Sequence, residues 1–148
     1  MWTSAVAAAL HYLALAIGLP AVFSRGRALK GPLDDPGLRQ LFAADTAWGL
    51  AALLWLATGL LRAFAGLEKG SSFYLASGLF RLKMGLFLVV VALEVWPMLT
   101  FIGWRRARAA GRPIDRGSVA LLDRLNHLEL ALVVIMVFVA SAMARGLG

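Results

Sequence analysis

Six side chains able to carry a proton or ligate a metal fall in or beside stretches that otherwise read as lipid-soluble. They are His11, Asp45, Lys83, Glu94, His127 and Glu129, with the amide of Asn126 next to the last two. An imidazole in such a run can ligate haem iron or move a proton. A carboxylate beside it can share that proton, and a lysine can act as a point charge for an anion. A charged group at mid-bilayer costs at least about 2.5 kcal/mol on insertion scales, so each calls for a partner or a role.

Helical spacing sorts these groups. Asn126 and Glu129 are three apart and share a face, whereas His127 and Glu129 are two apart and point nearly opposite ways. Lys83 and Glu94 share a face but stand about 16 Å apart along the axis. His11 lies on a face with Ser4, Ala7, Ala8, Ala14, Leu15 and Gly18. Such a face suits close helix packing, and it could also leave a cavity for a flat ligand. Each group has a plainer reading as well. His11 can hydrogen-bond a neighbouring helix, and Lys83 can snorkel to headgroups. Asp45 can cap its helix or pair with Arg39 or Arg124. Glu129 can be an interface acid facing a neighbouring helix or a partner subunit. Glu94, inside "MGLFLVVVALEVW", is the hardest to explain without a role. Tyr74 and the tryptophans read as packing or interfacial-belt residues.

The elements that must position these groups are membrane helices. The 148 residues are 61% hydrophobic and 16% charged, and the charges sit between apolar runs rather than along stripes. Four runs are long enough to span a bilayer, at about residues 2–24, 41–62, 80–104 and 121–145. They leave no room for a separate soluble domain, so the expectation is one all-α domain, an integral membrane four-helix antiparallel bundle over residues 1–148. The first run has no basic residue ahead of it and reads as a retained helix rather than a signal peptide. The absence of cysteine excludes disulfides, thiolate chemistry and Cys-ligated metals. The net charge of +7 has no aromatic–basic nucleic-acid pattern beside it, and it fits cytoplasmic loops against anionic headgroups.

Ten of the fifteen Lys and Arg residues lie on one side: Arg25, Arg27, Lys30 and Arg39 in the first loop, then Arg105, Arg106, Arg108, Arg112, Arg116 and Arg124. The positive-inside rule places these loops in the cytoplasm and both termini on the non-cytoplasmic side, in a multi-pass protein of the bacterial inner membrane. Cysteines introduced at Ser71 and Ser118 should therefore label from opposite sides of intact cells, with only Ser71 accessible from outside. The reverse pattern would overturn this topology.

The segments "LHYLALAIGLPAVFSRGRAL", "LFRLKMGLFLVVVALEVW" and "DRLNHLEL" together resemble a bacterial membrane family described as domain of unknown function 2214, over nearly the whole chain. The chain also resembles, more distantly, the HemJ-type protoporphyrinogen oxidases. These have a first-helix His followed by a basic residue, a third-helix Lys with a His eleven residues beyond, and an Asn–Glu pair opening the fourth helix. The matching positions are His11, Arg27, Lys83, Glu94 and the pair Asn126–His127. The family's third-helix His and fourth-helix Glu look exchanged here, as a preserved contact pair would be. Arg81 and Gly18 also depart from its pattern.

That resemblance implies haem b or porphyrin as cofactor. His11, Lys83 and Asn126 would bind it, with His11 on the haem iron, and Lys83, Glu94 and His127 would act in catalysis. It also implies a Glu94–His127 contact across the third and fourth helices, with Glu129 turned elsewhere. Two readings follow. One is a haem- or porphyrin-binding membrane redox protein. The other is a non-catalytic accessory subunit of a larger membrane complex, or a homo-oligomer, whose polar groups serve packing. A transporter is disfavoured by the small helix number and the absence of broken helices.

Overall fold

A computed structural model, described over residues 2–65 and 76–146, shows four antiparallel helices and no strand among those residues. Lys69, Ser71 and Tyr74 lie outside the described residues. The helices are α1 (Trp2–Lys30), α2 (Asp35–Phe64), α3 (Gly78–Ala109) and α4 (Val119–Ala144). All four are long and apolar enough to cross a membrane.

The helices outrun the apolar stretches that announce them. Even the shortest, at 26 residues, is about 39 Å long against a hydrocarbon core of about 30 Å. The ends therefore continue in polar sequence. α1 runs through Arg25 and Arg27 to Lys30. α2 starts at Asp35, ahead of the expected 41, because Asp34 caps it and Pro36 suits a first turn. The Asp34 side chain accepts from Gly37 N at 2.9 Å, and a Cβ on Gly37 would stand 1.9 Å from the Pro32 carbonyl oxygen.

α1 is the central element, packed on both α2 and α4, while α3 packs on α4. Its buried positions include Ala7, His11, Ala14, Gly18, Ala21, Arg25 and Ala28. They are spaced alternately four and three apart, the seam of a coiled-coil-like crossing. Small residues on that seam let α2 approach closely, so that a Cβ on Gly18 would sit 3.3 Å from the Ala51 Cβ. α2 and α3 are bridged by long side chains instead. Trp48 and Arg105 reach across, and Trp55 meets Phe87 edge-on at 6.5 Å between ring centroids. Leu50, Leu53, Leu88 and Phe138 are exposed on the outside, where lipid would solvate them.

Among the described residues the bundle is filled by two large apolar layers and a small cluster of Ala63 and Phe80. One layer, nearest the first and third loops, contains Leu29, Leu41, Phe101, Trp104 and Leu122. The other contains Ala14, Val22, Trp48, Trp55, Val133 and Met136. Gly26 lets α1 and α4 close between them, because a Cβ there would lie 2.6 Å from Asn126 Nδ2. Asn126 cannot easily give way, being buried and hydrogen-bonded on both amide atoms. Gly26→Ala should therefore destabilise the protein by about 1–3 kcal/mol, the usual range for overpacking. Gly49→Ala, with nothing within 4 Å of its Cβ, is the control. Thermal unfolding of both variants in detergent measures the difference, and equal stabilities would refute the close-approach argument.

Candidate functional site

Between the two layers lies a cluster of charges built by all four helices around Arg25. The Arg25 side chain is 1% exposed. Its Nε donates to Asn126 Oδ1 at 2.7 Å, and its Nη1 donates to Glu94 Oε1 at 2.8 Å. Both Nη atoms reach Glu94 Oε2 at 3.0 Å, and Nη2 also donates to Glu129 Oε2. Asp45 Oδ1 stands 3.4 Å from Nη1. Asp45 Oδ2 takes its stronger bond from Arg105 Nη2, at 2.8 Å. Trp48 Nε1 donates to Glu94 Oε2 at 3.1 Å, and the Asn126 amide donates to the Val22 carbonyl at 3.0 Å. The guanidinium also faces the Trp48 and Phe101 rings, 5.9 and 5.8 Å from their centroids. A planar fork of five donors suits this arrangement as a lysine would not.

Several expectations are corrected here. Glu94 and His127 do not touch. Glu94 binds Arg25 and Trp48, while His127 is half exposed in the third turn of α4, with Nδ1 on the Asp123 carbonyl at 2.6 Å and Nε2 3.1 Å from Lys30 Nζ. The cause is helical phase. The face that carries Asn126 inward also carries Glu129 inward, and it turns His127 outward. Glu129 is thus fully buried against Arg25 of α1, which bears out its reading as an acid facing a neighbouring helix and corrects the one that turned it away from the Glu94 site. Asp45 neither caps α2 nor meets Arg39 or Arg124; its partners are Arg105 and Arg25. Arg25, counted among the loop residues in the sequence, is the centre of the cluster, and Arg27 is exposed.

His11 lies 14 positions before Arg25 on the same seam, about 21 Å away along α1. Its Nε2 accepts from Trp55 Nε1 at 2.8 Å, and its Nδ1 lies 2.9 Å from Thr58 Oγ1. An indole N–H only donates, so Nε2 is the acceptor and the ring proton sits on Nδ1. The Thr58 hydroxyl accepts that proton and donates onward to the Leu54 carbonyl at 2.7 Å. His11 therefore joins α1 to α2, its plainer reading.

A cavity of about 420 Å³ opens beside His11, lined also by Tyr12, Arg62, Phe80, Lys83 and Met136. His11 and Lys83, paired in sequence only by resemblance, thus share one site, which Asn126 does not line. Its lining, mostly apolar with two cations, is of the chemical kind that an apolar ligand bearing carboxylates would need. It does not fit iron on His11, because the Nε2 lone pair is held by Trp55 and Nδ1 carries the proton.

Arg25 leaves a trace in the sequence. Continuing the small-residue face from His11 through Gly18 and Ala21 arrives at Arg25 and its neighbour Gly26.

No curated protein and no solved structure matches the chain. The family model described as a predicted membrane protein, DUF2214, matches residues 3–148, a span covering both the Arg25 cluster and the His11 cavity. A match over that span, with four membrane-length helices behind it, shows that the chain belongs to this predicted membrane protein family, DUF2214.

Proposed function

We propose that the protein is a membrane-embedded binding protein for an apolar organic anion drawn from the lipid phase. A carboxylate-bearing porphyrin is the member of that class implied by the resemblance to HemJ. One observation carries the reading: Arg62 and Lys83 stand at a cavity of about 420 Å³ whose other walls are mainly apolar and aromatic. An apolar wall takes the body of such a ligand, and the two cations take its charge. With the loop-rich basic end in the cytoplasm, the cavity falls in the outer half of the bacterial inner membrane. The macrocycle would be held by its edge and carboxylates, with His11 as wall rather than ligand. No observation favours the accessory-subunit reading, since Glu129, the acid offered for a subunit contact, is inside the bundle.

The test is to titrate protoporphyrin into the purified protein in lipid nanodiscs and follow its absorbance and fluorescence. Saturable binding at one porphyrin per chain is expected. Uptake no different from that of empty nanodiscs would remove the proposal.

A further inference from the structure

The Arg25 cluster holds three carboxyl groups, Asp45, Glu94 and Glu129, against two guanidinium groups, Arg25 and Arg105. With all five ionised it carries one uncompensated negative charge in a low-dielectric interior, where an unpaired charge is most costly. Lys30 does not supply the missing charge, because it lies against Asp123 and His127 at the exposed end of α1. The hydrogen bonds show where the imbalance falls. Both oxygens of Glu94 accept, from Arg25 and Trp48, as an ionised carboxylate would. Both oxygens of Asp45 face guanidinium groups. Glu129 is 0% exposed, and although its Oε2 accepts from Arg25, its Oε1 has no partner.

We infer that Glu129 is a proton-binding site: its Oε1 carries one proton at neutral pH, leaving the cluster electrically balanced. The charged groups that interact with it are Arg25 from α1 and Glu94 from α3; Asp45 from α2 and Arg105 from α3 belong to the same cluster through Arg25, and Asn126 precedes it by one turn on its own helix. On the side of the first and third loops the cluster is partly open, since the side chains of Arg105 and Asp45 are 37% and 16% exposed. Glu94 also lines a second, mostly apolar cavity of about 180 Å³ between α2 and α3. Trp55 and Met136 line both this cavity and the one beside His11. The cavity beside Glu94 thus shares walls with the proposed ligand site, and the proton site does not depend on that site.

Infrared spectroscopy reads this directly, because a protonated carboxylic acid has a C=O stretch that a carboxylate lacks. The intact protein in a detergent without carbonyl groups at neutral pH should show one such band per chain, shifted on exchange into D2O. It should be absent from Glu129→Gln, whose amide keeps the size of the side chain. A wild-type spectrum without the band would overturn the inference whether or not the variant folds. A band that persists in a folded Glu129→Gln protein would do the same.

Discussion

Arg25→Ala should abolish recovery of the folded protein, or lower its stability by about 3–5 kcal/mol, the usual cost of removing one partner from a buried ion pair. The loss would be severe because one guanidinium satisfies groups on three other helices. Its removal strands the Glu94 carboxylate with only Trp48 donating, leaves the Asn126 oxygen unpaired and takes the remaining donor from Glu129. Set against a typical total stability of 5–15 kcal/mol, that is enough to empty the folded state of a marginal bundle. Adding Glu94→Gln to Arg25→Ala should restore part of the loss, since it removes the carboxylate charge that the missing guanidinium strands. The measurement is the yield of monodisperse protein and its thermal midpoint in detergent. An Arg25→Ala protein as stable as the parent would show that the cluster does not hold the helices together.

Binding of protoporphyrin should collapse when both cations at the larger cavity are removed. Arg62 and Lys83 line it on opposing helices, α2 and α3, so each could take a separate carboxylate. A hydrogen bond to a charged group is worth about 1.5–3 kcal/mol, and tenfold in affinity corresponds to about 1.4 kcal/mol. Each single alanine variant should thus weaken binding by roughly tenfold to a hundredfold, and the pair by more than either alone. His11→Ala should do less to affinity and more to stability, because its ring nitrogens bond Trp55 and Thr58. Equilibrium titration of the four proteins separates these effects. Unchanged affinity in the double variant would mean that the cations do not hold the ligand.

The hydropathy of the chain made the four helices and their alternating direction legible, because lipid demands long apolar segments and the loops between them are short. The site was legible only in parts. His11 and Lys83 are separated by 72 positions, yet resemblance paired them and they do line one cavity. The three-residue spacing of Asn126 and Glu129 correctly placed them on one face. The error was to bring His127 inward with Asn126 and send Glu129 away, on the strength of an exchange inferred from residue types alone. Arg25 was lost for a different reason. A hydropathy window ends where charge begins, near Ser24, whereas the backbone stays helical to Lys30 because its hydrogen bonds do not depend on side-chain polarity. A basic residue just past an apolar run reads as loop, and the signal that it turns inward is the four-and-three spacing of the α1 seam continued through Ala21 to Arg25.

The distribution of the five charges over the four helices bears on biosynthesis. A nascent chain delivers α1 and α2 first, and their hairpin already contains Arg25 with Asp45, one charge of each sign. α3 then brings Glu94 and Arg105, again a balanced pair. Each of these stages can enter the bilayer without a net charge at this level, although Arg25 meets Glu94 only 69 positions later in the chain. The helix that arrives last brings the unmatched acid, Glu129, 104 positions after its partner. Helices in a membrane form before they associate, so the final docking of α4 is the step that closes the bundle and the one at which ambient pH can act on assembly.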